Sequence, residues 1–136
     1  MVIDTSAFLA ILNDEPEQRT FTEAIEAAAS RCTSAATFLE ASIVLQSRYG
    51  EAGVQRLDML LESAHIGVIA VDAAQARIAR HAFVDFGKGR HPAALNYGDC
   101  FAYALSRQLG EPLLCKGNDF AQTDIELAVP LSFSNA

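Results

Sequence analysis

Apolar and polar positions follow two periods along the chain. Met1-Val2-Ile3 is a short apolar run that ends on Asp4, and a helical pattern follows at once through Phe8, Leu9, Ile11 and Leu12. Asp4, Thr5 or Ser6 can cap that helix. Asp14-Glu15-Pro16 starts a second helix, with Pro16 suited to its first turn, and the pattern runs to about Ala29. Arg31 to Ser34 reads as a short strand, and Ser34 can cap a third helix from about Ala35 to Tyr49 that stops at Gly50. A fourth helix covers about Glu51 to Ala64. Ile66 to Val71 is the clearest strand, and Asp72 caps a fifth helix that ends at Gly87. Residues 87–95 are a loop marked by two glycines and Pro92. A sixth helix spans about Tyr97 to Leu109, Pro112 to Cys115 is a strand, and Lys116 to Phe120 is a turn or a short helix. Leu127 to Val129 reads as a last strand, and the polar tail 131–136 is expected to be loose.

Short apolar strands alternating with helices predict a single α/β domain over residues 1–136. Its core is a parallel sheet of about four to five short strands flanked by helices on both faces. The chain has 136 residues, 51% of them hydrophobic and 20% charged, which is enough for one real core and excludes a disordered chain. The net charge of −7 argues against duplex DNA held by bulk charge, but leaves room for a nucleic acid gripped locally or through a metal. Cys32, Cys100 and Cys115 form no C-x-x-C pair and sit beside apolar residues. They read as reduced core residues. The N-terminus lacks a basic leader and no apolar run approaches the ~20 residues of a membrane span, so a cytoplasmic protein without a membrane partner is expected.

Topology directs attention to the acids, because ligands of an open parallel sheet bind beyond the carboxyl ends of its strands. Asp4 directly follows the first strand. Glu40 lies early in the helix leaving the second. Asp99 lies in the first turn of the helix leading into the strand at Pro112, and Asp119 follows that strand. All four are expected at one edge. Glu40 shares a helix face with Ala36, Ile43 and Val44, a face read as buried, where an acid needs a partner. No Lys or Arg at helical spacing neutralises Glu40 or Asp99. Clustered carboxylates hold protons unless a cation sits among them, and oxygen-only donors suit Mg²⁺, with Mn²⁺ as the alternative. Zinc is disfavoured because the cysteines are scattered and His65, His81 and His91 lack ligand spacing. Asp4, Asp72 and Asp99 can each also be read as helix caps, Asp119 as a turn residue, and Asp124 as a surface cap or turn.

Val2-Ile3-Asp4-Thr5-Ser6, Glu40, Asn96-Tyr97-Gly98-Asp99-Cys100 and Leu114-Cys115-Lys116-Gly117-Asn118-Asp119-Phe120 together resemble the PIN-domain nucleases. The wording of the last two motifs, and the small size, resemble the VapC toxins of type II toxin–antitoxin systems. The resemblance covers essentially the whole chain. It implies a PIN-like domain that hydrolyses RNA phosphodiester bonds with metal ions and is neutralised by a small VapB-like antitoxin. Asp4 and Asp99 would be the main metal ligands, and Glu40 would complete the site directly or through water. Asp119 would bind a second ion or orient water. Thr5 or Ser6 would fix the Asp4 region, and Asn96 and Tyr97 would be supporting residues. A homodimer is also implied.

Substrate grip in so acidic a chain is expected from Lys88, Arg90 and His91, which lie in a stretch without acids, and from Lys116 near the same edge. Arg48 reads as solvated. The apolar stripes of the helices at 16–29 and 51–64 read either as core packing or as a docking face for a second copy or an antitoxin helix. Other readings keep the fold and change the role: a PIN-like RNA-processing nuclease that is not a toxin, or a non-catalytic RNA- or protein-binding module. A haloacid-dehalogenase-like phosphatase would need a second acid where Ser6 stands. A receiver-like domain would need paired acids at the first strand, where Asp4 is alone.

Overall fold

The computed structural model describes residues 1–130; the tail expected to be loose lies outside them. Four strands form one sheet: β1 (Val2–Ile3), β2 (Cys32–Ser34), β3 (Gly67–Ile69) and β4 (Leu113–Leu114). Their order is β3-β2-β1-β4 and every pairing is parallel. Six helices connect them: α1 (Thr5–Leu12), α2 (Gln18–Ala27), α3 (Ala35–Tyr49), α4 (Glu51–Ser63), α5 (Ala73–Phe86) and α6 (Tyr97–Leu109).

The two-residue period of the strands explains why helices cover both faces. Ile3 and Leu114 point into a cluster with α1, α2, α3 and α4, built on Phe8, Phe21, Leu45 and Leu57. Val2 and Leu113 point the other way, into a cluster with α5 and α6 that includes Leu105 and Tyr103. Cys100 and Cys115 are buried in this second cluster, and the half-buried Cys32 packs against it. All three are free thiols.

Local chemistry sets the helix starts. Asp4 accepts from Ser6 N–H at 3.1 Å, Ser34 from Ala36 N–H at 3.2 Å, and Asp72 from Gln75 N–H at 2.8 Å. Asn96 and Asp99 form a reciprocal capping box. Gly50 joins α3 to α4 at φ +69°, a conformation that favours glycine.

Several expected elements change. The strand at 66–71 shrinks to Gly67–Ile69 and all three of its residues are exposed. It is an edge strand paired only with the three-residue β2, and Gln75 Nε2 donates to Ala70 O just beyond it. Leu127 forms a single parallel bridge to Leu113 instead of a strand. The second helix starts at Gln18, because Asp14 takes a positive φ of 53° and Pro16 lies in the turn before it. The stripes of α2 and α4 are core: Phe21, Ile25 and Leu57 are buried. Asp124 is no cap. It accepts from Tyr103 Oη and from the Arg107 guanidinium, both at 2.6 Å, and ties the 3-10 turn region (Phe120–Gln122) to α6.

The strand order reverses at β1. The chain builds outward to β2 and β3, then crosses to place β4 on the other side. The crevice past the carboxyl ends of β1 and β4 is therefore the topological switch point, where open α/β sheets bind ligands.

Candidate metal and nuclease site

Asp4 follows β1 directly at that crevice and is 5% exposed. Its backbone N–H donates to Leu114 O at 3.0 Å, which locks the residue beside β4. Ser6 Oγ donates to Asp4 Oδ2 at 2.7 Å and accepts the Lys116 N–H at 2.9 Å, so one hydroxyl joins the Asp4 carboxylate to the chain leaving β4. Burial pushes the Asp4 carboxyl above its ordinary range, opposed by the Ser6 hydrogen bonds and assisted by the charge of Glu40.

Glu40 reaches the same place from α3. Its Oε1 accepts from Thr5 Oγ1 at 2.6 Å, so Thr5 holds Glu40 while Ser6 holds Asp4. The helix face of Glu40 differs from expectation. The core residues of α3 are Thr37, Ala41 and Leu45, whereas Glu40 is half-buried and Ile43 is 56% exposed. The Glu40 face is apolar but looks outward, which gives the carboxylate access to a ligand.

Asp99 enters from the first turn of α6. Its Oδ2 accepts the Asn96 N–H at 3.0 Å, and its N–H donates to Asn96 Oδ1 at 2.9 Å, so the two residues hold each other at the start of α6. The Asp99 carboxyl is pushed up to about 6. Burial is the main cause, the Asn96 bond opposes it, and the charges of Asp4, Asp119 and Glu40 add to it. Asp119, exposed at the end of the turn after β4, contributes to the same field. The buried Cys115 thiol lies in the same field: burial first, then the charges of Asp4, Asp99 and Asp119, push it up to about 12.

The four acids drawn from four parts of the chain thus share one edge, and among the described residues none of them pairs with a Lys or Arg. Asp4, Glu40 and Asp99 are each held by a neighbouring hydroxyl or amide, and no three His, Cys, Asp or Glu side chains among the described residues stand at ligating distance of one point. The donor set is oxygen-only, partly buried and short of positive charge. That chemistry fits a hard divalent cation, which would offset the acid charges that add to the effect of burial on Asp99.

The basic residues divide. Lys88 and Arg90 are exposed on the 87–95 loop, and Arg90 stands over the Phe83 ring at 5.9 Å. His91 is engaged within the loop: its Nδ1 accepts the Ala93 N–H at 3.0 Å, and its ring meets Phe86 edge-on. Lys116 is also engaged. Its ammonium donates to Glu15 and lies 3.4 Å from Glu17, tying the turn before Asp119 to the start of α2.

Gly98 is a site residue that residue spacing did not single out. A Cβ at this position would collide with the Glu40 carboxylate, so α6 and α3 approach here only because the side chain is missing. The one available signal was a glycine inside the first turn of a helix, where it costs stability without a packing reason.

A family model described as PIN domain matches residues 1–126. The chain is 51% identical to ribonuclease VapC30 of Mycobacterium tuberculosis over 125 residues, covering 92% of this chain and 95% of that protein. It is also 51% identical to ribonuclease VapC of Mycolicibacterium smegmatis, over 92% of this chain and 97% of that one. Among solved structures, M. tuberculosis VapC20, a sarcin–ricin loop cleaving toxin, superposes with a TM-score of 0.76 at 18% identity over 94% of this chain and 97% of that one. A toxin–antitoxin complex from Klebsiella pneumoniae gives 0.68 at 18% identity, over 90% and 92%. At that identity the two structures speak for the fold alone. With a family model across nearly its whole length and half its residues shared with VapC ribonucleases, the chain belongs to the PIN-domain family, among the VapC ribonucleases.

Proposed function

We propose that this chain is a metal-dependent endoribonuclease and the toxin of a toxin–antitoxin pair, with Asp4, Glu40, Asp99 and Asp119 as the acids that hold the cation. The observation that carries the reading is the uncompensated acid cluster at the switch point, where burial first, and then the charges of Asp4, Asp119 and Glu40, raise Asp99. Mg²⁺ is the expected ion, with Mn²⁺ able to replace it, since both take oxygen ligands and keep waters. When bound, the cation would neutralise charge on the phosphoryl oxygens and lower the pKa of an attacking water. The chain's own part is placement. Ser6 orients Asp4, Thr5 orients Glu40, and the Asn96 cap orients Asp99. No serine or histidine nucleophile is required.

A small VapB-like antitoxin is the partner that silences the activity, and a second copy of the chain is the other expected partner. The membership among the VapC ribonucleases and the toxin–antitoxin complex of similar fold support the first. Among the described residues no helix is long and apolar enough to cross a membrane. The cytoplasm is the proposed location, since RNA and antitoxin are both met there. The test incubates purified wild type, Asp4→Asn and Asp99→Asn with total RNA, in Mg²⁺ or chelator. Discrete fragments bearing 5′-phosphates, from wild type with metal alone, are expected. Equal cleavage by Asp4→Asn would sink the reading.

A further inference from the structure

Three of the four acids are aimed by a donor of their own: Ser6 for Asp4, Thr5 for Glu40 and the Asn96 N–H for Asp99. Asp119 is the exception. It is exposed, and among the described residues its carboxylate takes no hydrogen bond and no ion pair. Its place must come from the turn that carries it. The far end of that turn is fixed, because Phe120 is buried and the Thr123 hydroxyl donates to Phe120 O at 2.7 Å. Gly117, at φ +95°, and Asn118 are exposed, and a Cβ on Gly117 would meet nothing within 4 Å. The near end therefore depends on Lys116.

Lys116 is held twice. Its N–H donates to Ser6 Oγ at 2.9 Å, the hydroxyl that also serves Asp4. One bond fixes a point but not the direction in which the chain leaves it. The ammonium supplies the second hold, on Glu15 and, at 3.4 Å, on Glu17. Glu17 Oε1 is shut off from water and has no hydrogen-bond partner among the described residues, so the Lys116 charge is what answers it. Glu15 is itself fixed. Its N–H donates to Ala10 O in α1 at 2.9 Å, Asn13 Nδ2 donates to Glu15 Oε2 at 3.5 Å, and Asn13 Oδ1 accepts from Tyr49 Oη of α3 at 2.8 Å. Helix α1 begins at the residue after Asp4, and α3 carries Glu40. The grip thus ties the Asp119 turn to the two helices that place two of the other acids. An ion pair this exposed adds little to stability. What it contributes is a fixed geometry between residues 101 positions apart.

We propose that Glu15 and Glu17 are positioning residues for Asp119: by gripping the Lys116 ammonium they fix the turn that presents the fourth acid at the site. The proposal rests on the reading of Asp119 as one of the ion-holding acids and adds the device that aims it. Without the grip, the turn hangs from Phe120 and one backbone bond, and Asp119 samples many placements. The site then loses affinity for its ion through the one acid that has no donor of its own.

The test starts with backbone order parameters from amide nitrogen relaxation of the metal-free protein, which need neither ion nor RNA. Glu15→Gln combined with Glu17→Gln is expected to lower the values at Gly117, Asn118 and Asp119 from about 0.85 to below about 0.6, with the rest of the chain unchanged. Lys116→Met, which removes the ammonium alone, should loosen the same three residues, and Lys116→Arg, which keeps the charge, should leave them rigid. Calorimetric titration with Mn²⁺ then compares wild type, the double glutamine variant, Asp119→Asn and the triple combination. The double variant and Asp119→Asn should each weaken Mn²⁺ binding about tenfold, and the triple variant no more than Asp119→Asn alone. An unchanged turn in the double variant would overturn the proposal. So would losses that multiply in the triple variant, since a pair that serves only the fold acts independently of Asp119. A loosened turn that binds Mn²⁺ as tightly as wild type, where Asp119→Asn does not, would overturn it as well. If the turn loosens and Asp119→Asn leaves Mn²⁺ uptake unchanged or absent, the ion-holding reading of Asp119 fails while the grip on its turn stands.

Discussion

Gly98 lies against the carboxylate of Glu40: a Cβ on residue 98 would overlap Oε2 and stand 2.9 Å from Oε1. The absence of one methyl group is what lets the first turn of α6, with Asp99, meet the acid carried by α3. Gly98→Ala therefore separates activity from stability. Alanine suits a helix better than glycine by about 0.5–1 kcal/mol, and the obstacle is the end of a flexible side chain, so the fold survives with an unchanged or slightly raised melting temperature. Glu40 must swing away from Thr5, and kcat is expected to fall about tenfold or more. Full activity in Gly98→Ala would show that the observed Glu40 position is irrelevant to catalysis.

Thr5 is tested by shape. Thr5→Val keeps the volume and removes the donor that holds Glu40 Oε1 at 2.6 Å. Positioning partners of this kind typically contribute about 10- to 100-fold, and that loss is expected in kcat with KM little changed. Thr5→Ser should restore most of it. If Ser does no better than Val, the hydroxyl has no positioning role.

Cation binding can be read without activity. Burial, with the neighbouring acids adding to it, disfavours the ionised Asp99 carboxylate and a divalent ion would favour it, so Mg²⁺ or Mn²⁺ should raise the melting temperature and chelator should lower it. Saturation at about a hundred times Kd corresponds to about 2.7 kcal/mol. Differential scanning fluorimetry on Asp4→Asn and Asp99→Asn should show most of the shift gone. An equal shift in all three proteins would place the ion elsewhere.

The contact between Glu15 and Lys116 makes a pH-dependent contribution. The hydrogen bond from Lys116 is the main cause holding Glu15 below its ordinary carboxyl range. A lowered folded-state pKa stabilises above the unfolded value of 4.5, and that stabilisation is lost as pH falls through the folded value. The pair is partly exposed, so about 0.5 kcal/mol is at stake. Glu15→Gln should therefore melt slightly below wild type near neutral pH and match it in acid. A gap that persists in acid would mean that Glu15 acts by packing.

The 87–95 loop is predicted to act on substrate affinity alone. Replacing Lys88 and Arg90 together by alanine should raise KM and flatten its salt dependence, with kcat retained. Lys116→Ala should do less, because its ammonium is already held by Glu15 and Glu17. Michaelis kinetics at two salt concentrations decides. An unchanged KM in the double variant would remove the loop from the RNA path.

Much of this molecule is legible from sequence because its signals are local. Ser34, Asp72 and Asn96 announce their helices by capping chemistry, and the ranges of α3, α5 and α6 follow from the 3.6-residue period. The convergence of Asp4, Glu40, Asp99 and Asp119 also follows, because a parallel sheet sends every strand's exit to one edge. Other features needed the tertiary structure, since they depend on which elements become neighbours. The run at Ile66 to Val71 is apolar enough for a central strand, yet strand order makes it an edge and its partner's length limits it to three residues. Glu40 shares its face with apolar residues, and periodicity alone cannot say whether such a face meets the core or a groove. Packing of α6 on both α3 and α5 decided that it meets a groove. Lys116 looked free in sequence because Glu15 and Glu17 lie about a hundred positions away, and only the fold places them within reach. Sequence determined which chemistry reaches the sheet edge through short-range rules of capping and periodicity. The contacts that aim each carboxylate, and those that occupy or free each basic side chain, came from long-range packing.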